Sequence, residues 1–453
     1  MVDANGDLVV GGADGPLPAV LIVCQAFPPA NHTGARRPYH LAKALRDAGH
    51  RTSVLTMDLK GTDPWAADLE GIEVLRLPMT RMPRGLGPLQ RLLAHAFWSW
   101  EGKASHAVVR TLAFLFLPLD LASRMDLDEE VVERRLGRSP IVVATGPCWS
   151  MLEFGHRLAK RWHAVYLPDH RDPWNVWNPE VGLRTVTWYG SGLSGWLKRR
   201  HMEALERRFT ANAHGFTFAT HGLMENAKRV IAGRPAQVVM NGADPGPAGE
   251  VTAHGHLRVV HTGRLYHEQE WNIVIGALDR LHRASPGRPP RLLVELWGAR
   301  TEDEQLLEAL RACGERTGLL RIMGRAGREE TLALQRSADL LLHVAFKGKR
   351  GIVPIKFLEY MRSGRPIIQA GSGQDELGAM LAETRTGRVA GDATVLADML
   401  AQACGNKEAG EAIAHEPLED KLTELDWENR MLAWVKFIRD IFAARTDPAW
   451  KRP

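Results

Sequence analysis

The first strong signal along the chain is an apolar run, AVLIVCQAF (Ala19 to Phe27), stopped by Pro28-Pro29. A run that is apolar throughout, rather than at alternate positions, suits a strand covered on both faces, as in a parallel sheet. Gly34 then precedes a helical pattern, PYHLAKALRDAGH. Leu41, Ala44, Leu45 and Ala48 share one face, and Gly49 stands at the carboxyl stop. RTSVLTMD and GIEVLRLP supply the next two strands. Strand, glycine loop, helix, strand predicts a doubly wound α/β domain. The alternation resumes with IVVATG (Ile141 to Gly146), a helix over Met151 to Arg161, AVYLPD (Ala164 to Asp169) and GFTFAT (Gly215 to Thr220).

A turn-rich stretch, NGADPGPAGEVTAH (Asn241 to His254), interrupts this rhythm and marks a domain boundary. The rhythm then restarts. LRVVHTG, RLLVELWG, LLRIMG, ADLLLHVAF and RPIIQA read as strands, and WNIVIGALDRLHRA and KFLEYMRSG as helices. Two such halves predict two Rossmann-like α/β domains facing a cleft, with ligands beyond the carboxyl ends of the strands. The expected division is a frayed tail over 1–18, a first domain over 19–245, a second over 256–425 and a closing helix over 426–445. In that helix Trp427, Met431, Trp434, Val435, Ile438 and Phe442 form one apolar stripe.

Composition adds boundaries. At 453 residues the chain is too long for one ordinary core and suits two. Its 45% hydrophobic and 25% charged residues exclude a wholly disordered chain and a polytopic membrane protein. A net charge of +5 permits anionic ligands without demanding nucleic acid. The cysteines, Cys24, Cys148, Cys313 and Cys404, are scattered without a CxxC pair and read as core residues in a reducing compartment. The amino-terminal stretch lacks the features of a signal peptide. The most apolar segment, Leu112 to Leu121, falls short of the about 20 residues a spanning helix needs. A cytoplasmic protein is expected. One region, Arg81 to Arg110, intersperses basic residues with Leu92, Leu93, Phe97, Trp98 and Trp100. It reads as an insertion packed on the first domain or as a peripheral contact with an anionic bilayer.

The candidate chemistry concentrates in a few segments. In VPIKFLEYMRSGRPII, Lys356 and Glu359 lie three residues apart near a helix start. Backbone N–H groups and Lys356 would meet an anion, and Glu359 could accept both hydroxyls of a ribose. The alternative is an ordinary surface ion pair. DHRDPW places Asp169, Arg171 and Asp172 just beyond a strand, either to bind sugar hydroxyls or to pin the loop by an internal Arg171–Asp172 pair. Arg37, after Gly34, would reach an anion or stand solvated at a helix start. His156 is a catalytic or acceptor-contact candidate, with a satisfied helix histidine as the alternative. The D-L-D of Asp126 to Asp128 reads as the solvated face of an acidic helix, so no metal site is expected. G-x-G-x-x-G, the phosphate loop G-x-x-x-x-G-K-[ST], H-E-x-x-H and G-x-S-x-G are all absent.

Taken together, PIKFLEYMRSGRPII, FPPANHTGARRPYHLAKALRDAGH, ATGPCWSMLEFGHRLAK, DHRDPW, LERRFTANAHGFTFAT, NGAD and HTGRLY, in that spacing from about residue 19 to 440, resemble the retaining GT-B glycosyltransferases of family 4. The resemblance implies the GT-B fold, with a donor site in the second domain and a closing helix that crosses back to the first. It implies transfer of a sugar from a nucleotide-diphosphate donor to a glycan, lipid-linked or small-molecule acceptor, with retention and without a cofactor or metal. The anomeric bond would break through an oxocarbenium-like state, and domain closure would exclude water.

Three positions depart from the family pattern. A glutamate that contacts the transferred sugar is replaced by Gly351. A basic residue after the donor-domain glycine turn is replaced near Glu270, which leaves Arg264, after Gly263, to hold the diphosphate with Lys356. An acceptor-side histidine near Leu152 is missing, with His156 one turn later. A sugar-nucleotide 2-epimerase-like isomerase and a non-catalytic sugar-nucleotide binder are the alternatives.

Overall fold

The computed structural model describes residues 17–30, 33–59, 67–80, 87–92, 112, 115–116, 125–146, 148–172, 192–245, 255–284, 291–301, 303–347, 351–373 and 376–446. It divides into two compact units, one of Met1–Met240 with Arg430–Pro453 and the other of Asn241–Asn429.

In the first unit the chain runs β1 (Val20–Cys24), α1 (Thr33–Asp47), β2 (Thr52–Met57), β3 (Ile72–Leu77), α2 (Glu129–Leu136), β4 (Ile141–Thr145), α3 (Trp149–Arg161) and β5 (Val165–His170). It continues through α4 (Gly192–Phe209), β6 (Phe216–Phe218), α5 (His221–Asn226), α6 (Lys228–Ile231) and β7 (Ala236–Val238). The strands form one parallel sheet in the order β3-β2-β1-β4-β5-β6-β7. Every residue of β1, β2, β4 and β5 is buried, as strands covered on both faces require. The edge strands β3 and β7 are only partly covered. The order reverses between β1 and β4, so their connections leave in opposite directions and open a crevice at the carboxyl edge.

The second unit repeats the plan. It runs β8 (Leu257–Thr262), α7 (Trp271–Ala284), β9 (Leu292–Trp297), α8 (Glu304–Thr317), β10 (Leu320–Ile322), α9 (Arg328–Ser337), β11 (Leu340–Val344) and α10 (Ile355–Met361). Then follow β12 (Ile367–Ala370), α11 (Glu376–Thr384), β13 (Gly387–Ala390), α12 (Ala393–Glu408) and α13 (Glu419–Thr423). Its six parallel strands are ordered β10-β9-β8-β11-β12-β13, with the reversal between β8 and β11. All four cysteines are buried and unbridged.

The last helix, α14 (Trp427–Thr446), counts with the first unit from Arg430 onward. Met431, Trp434, Val435 and Ile438 of its stripe are buried, and Trp434 has no exposed surface. Its indole lies 4.3 Å from the Arg37 guanidinium. Phe437 and Ile441 close on Gly215, where a Cβ would stand 3.2 and 3.3 Å from their side chains.

Two local expectations change. Helix α1 begins at Thr33, so Gly34 lies inside it rather than before it, and Pro38 falls within the helix. Asp128 is not on a helical face but is the N-cap of α2, accepting from the N–H groups of Glu130 and Val131. Acidic spacing alone does not distinguish a cap from a helical face. Among the described residues no helix is long and apolar enough to cross a membrane.

Gly155 sits mid-helix in α3, where alanine is the better helix former. A Cβ there would lie 2.4 Å from the Cβ of Ala144 on β4 and 3.0 Å from the Tyr166 ring on β5. Gly155→Ala should therefore destabilise the protein by about 1–3 kcal/mol, opposite in sign to helix propensity. Trp434→Ala should cost about 3–5 kcal/mol. Urea titration of both variants checks the two values.

Candidate functional site

In the first unit the candidates gather at the carboxyl ends of β4, β5 and β6. Asp169, with no exposed surface, receives Arg37 Nε at 2.9 Å and Nη2 at 2.7 Å. Thr145 Oγ1 donates to it at 2.8 Å and Thr217 Oγ1 at 2.9 Å. Each carboxylate oxygen thus accepts two hydrogen bonds, which fills its acceptor capacity. Arg37 spends its remaining Nη1 on the Val239 carbonyl at 2.6 Å. Burial opposes ionisation of Asp169, but the Arg37 charge and the three donors outweigh it and hold the carboxyl below the usual carboxylate range. These two residues are committed to each other. The expectation that Arg37 reaches a ligand, or that Asp169 binds sugar hydroxyls, is corrected by that saturation.

Arg171 is tied to Gly34 rather than to Asp172. Pro38 has no N–H, so the carbonyl four residues earlier, that of Gly34, lacks its helical partner. Arg171 Nη1 supplies the missing donor at 2.7 Å. Gly34 and Arg171 are therefore brought together, beside the Arg37–Asp169 pair, while Asp172 is exposed.

His156 is not with this group. Its Nδ1 lies 2.5 Å from Oδ1 of Asn212, in the turn between α4 and β6. His214 of the same turn bonds the N–H of Tyr166 near the start of β5. That is the amino edge of the sheet, opposite Asp169. Burial lowers the His156 pKa, and its contact with Asn212 links α3 to that turn. Of the Arg81 to Arg110 region only 87–92 is described, with Arg91 and Leu92 exposed; Leu93, Phe97, Trp98 and Trp100 lie outside the described residues.

In the second unit a pocket of about 840 Å3 opens at the carboxyl ends of β8, β9 and β10. Just beyond each of these strands stands a glycine with an arginine one or two residues after it: Gly263-Arg264, Gly298-Ala299-Arg300 and Gly324-Arg325. All three arginines line the pocket with Lys356 and Glu359. Gly263 has φ 99° and Gly298 φ 69°, and a Cβ on Gly298 would stand 3.7 Å from the Gly263 nitrogen. Glycine permits the left-handed backbone at both turns. The Arg264 guanidinium lies 5.6 Å from the Tyr266 ring.

The signature helix α10 adds the rest. Lys356 lies against Gly263, and its Nζ donates to the Thr262 carbonyl at 3.0 Å and approaches His261 Nε2 at 3.2 Å. Burial pulls the Lys356 ammonium down to about 7, with Glu359 opposing the shift. Glu359 is buried and paired with Arg328, which also stands 3.8 Å from Asp244. Glu359 does not form the ordinary surface ion pair of the alternative reading: Phe357, Leu358 and Tyr360 pack inward and carry Glu359 with them. Tyr360 Oη accepts the Thr262 N–H at 2.7 Å and so pins the turn that leads into Gly263.

Two departures from the family pattern acquire a physical reading. Glu270 Oε2 accepts the Ser372 N–H at 2.9 Å, which makes it a clamp on the loop after β12. Gly351 has φ 79°, a conformation that a glutamate would adopt only under strain. Arg300, Arg325, Arg328 and His261 were missed by sequence reasoning. The repeated strand–glycine–arginine ending could have found the first two, whereas nothing local marks the others. Among the described residues no group of three His, Cys, Asp or Glu assembles as a metal site.

Residues 256–406 match the family described as glycosyl transferases group 1. No curated protein matches the chain in sequence. Among solved structures, sucrose-phosphate synthase from Thermosynechococcus elongatus is 16% identical with a TM-score of 0.55, over 94% of this chain and 99% of that one. Anabaena HepE in complex with UDP-glucose is 14% identical with a TM-score of 0.51, over 95% and 99%. A UDP-forming α,α-trehalose-phosphate synthase from Burkholderia vietnamiensis is 14% identical with a TM-score of 0.58, over 93% and 100%. The likeness is one of fold, and that fold is GT-B: two Rossmann-like parallel-sheet domains and a helical carboxyl terminus.

Removing the Asp169 charge leaves Arg37 buried without a counter-ion. Asp169→Asn should therefore destabilise the protein by about 3–5 kcal/mol. Because the folded carboxyl titrates below its unfolded value of about 3.9, this contribution is present above that pH and is lost as pH falls through the folded value. Chemical denaturation from neutral to acid pH should show the wild type converging on the variant.

Proposed function

We propose that this protein is a retaining glycosyltransferase of the family 4 type, moving a hexosyl group from a nucleotide-diphosphate donor to an acceptor hydroxyl. The observation that carries the reading is the pocket of the second unit, where three strand-end arginines and Lys356 converge within the segment that matches the group 1 glycosyltransferases. Cations at the carboxyl ends of parallel strands suit a diphosphate. As the bond from anomeric carbon to phosphate breaks through an oxocarbenium-like state, negative charge grows on the leaving diphosphate. Arg264 and Lys356 would stabilise it, which lowers the barrier only because the charge is greater in the transition state. Glu359, lining the same pocket, would accept the ribose hydroxyls with Arg328 holding its orientation.

The named complexes of Anabaena HepE with UDP and UDP-glucose support a uridine donor as the first to try. The resemblance supports retention with the leaving phosphate assisting deprotonation of the acceptor, so the reading calls for neither a metal nor a dedicated protein base. With Asp169 and Arg37 committed to each other, any acceptor contact at that loop would fall to Arg171 or Asp172.

Gly351 favours a second reading, a sugar-nucleotide binder without turnover. Release of free nucleotide diphosphate only when an acceptor is supplied separates the two, and the anomeric configuration of the product, read by NMR, tests retention.

Lys356→Ala and Glu359→Gln should each weaken nucleotide-diphosphate binding by about 1.5–3 kcal/mol, about 10- to 150-fold in Kd, while the protein still unfolds cooperatively. Calorimetry showing wild-type affinity in both variants would sink the assignment.

A further inference from the structure

The surroundings of Lys356 do not supply what a charged lysine needs. Its Nζ is held by two neutral acceptors, the Thr262 carbonyl and His261 Nε2. The imidazole of His261 has its other nitrogen 3.0 Å from the Leu342 carbonyl, which accepts only if Nδ1 carries the proton. The lone pair of Nε2 is then the one facing Lys356. Burial, the largest cause for each, keeps His261 and His343, on the neighbouring strand, well below the usual imidazole titration range. Neither histidine becomes a competing cation at neutral pH. The nearest acid, Glu359, is engaged by Arg328. Every other charged group facing the pocket from a strand end is an arginine. An ammonium here sits in a cationic pocket with its one acid already paired.

We propose that Lys356 binds a diphosphate by taking up a proton with it, so that the pocket holds a neutral amine when empty and an ammonium when loaded, with His261 orienting the amine in both states. This inference rests on the nucleotide-diphosphate reading. The proton comes from solvent: amine plus H+ gives ammonium, and no other bond changes. The empty-pocket value of about 7 is consistent with it, and a diphosphate placed beside Nζ raises that value by supplying the missing counter-charge. The sign follows. A group whose pKa rises on binding favours binding at low pH, and affinity declines as pH climbs above the empty-pocket value.

The test is isothermal titration of the whole protein with UDP, ADP and GDP near pH 8, each in buffers of different ionisation enthalpy. A terminal phosphate, with a second pKa of about 6, is already fully ionised there and contributes no proton. The slope of observed enthalpy against buffer ionisation enthalpy should give about one proton taken up per nucleotide bound. Affinity should fall about tenfold between pH 8 and pH 9. Lys356→Arg, whose guanidinium stays charged throughout this range, should remove both effects. Wild-type binding with zero slope overturns the inference and leaves the nucleotide reading intact. Uptake that persists undiminished in Lys356→Arg also overturns it, because the proton then goes elsewhere. Absence of heat with all three nucleotides overturns the nucleotide reading, and this inference with it.

Discussion

A strand buried on both faces can offer chemistry only at its ends, and both sheets of this protein obey that constraint. Where every side chain of β1, β4 and β5 is buried, a polar group within the strand must be satisfied by the protein itself. The parallel arrangement brings all carboxyl ends to one edge, and the reversal of strand order at β1/β4 and again at β8/β11 parts the connecting loops there. The candidate residues at the strand ends of each unit, from Asp169 and Arg171 to Arg264 and Arg325, are consequences of this geometry.

The two units use buried charge in opposite ways. Asp169 and Arg37 are neutralised completely: two hydrogen bonds between them, two hydroxyl donors, one carbonyl and the face of Trp434 leave nothing for a ligand. Such a pair contributes little as a replacement for apolar packing, but it is costly to break. It ties α1, β4, β5 and β6 to the closing helix. In the second unit Lys356 is left short of a counter-charge, and that deficit is what a ligand could fill. A saturated pair reads as architecture and a lysine held only by neutral acceptors as a site, a distinction that depends on counting acceptors rather than on residue type.

Much of this was legible along the chain. The largely apolar runs of Ala19 to Phe27 and Ile141 to Gly146 announced parallel strands, and the helix WNIVIGALDRLHRA appears with those bounds, Trp271–Ala284. The stripe of α14 followed from apolar spacing, and the burial of the cysteines from their scatter without a CxxC pair. Other elements were passed over, among them the helices α8 and α12 and the strand β13. The strand β13, of only four residues, carries Gly387 because a Cβ there would stand 2.1 Å from the Ile367 carbonyl oxygen, and a glycine in a short run reads as a turn.

Hydrophobic periodicity determined the α/β class, the two-fold repetition of the plan and the elements that bear the candidate residues, because burial of a repeating face is a local property of the chain. Which charges meet was decided only in three dimensions. Arg37 and Asp169 are 132 residues apart and Arg328 and Glu359 are 31, and no local pattern states that one pair closes on itself while Lys356 faces two neutral acceptors. Gly34 shows the same limit. Its carbonyl is freed by Pro38 four residues along, which the sequence contains, but the guanidinium that takes it belongs to Arg171, 137 residues away. Pairing over such separations depends on the order of strands in the sheet, and that order is a property of the folded chain.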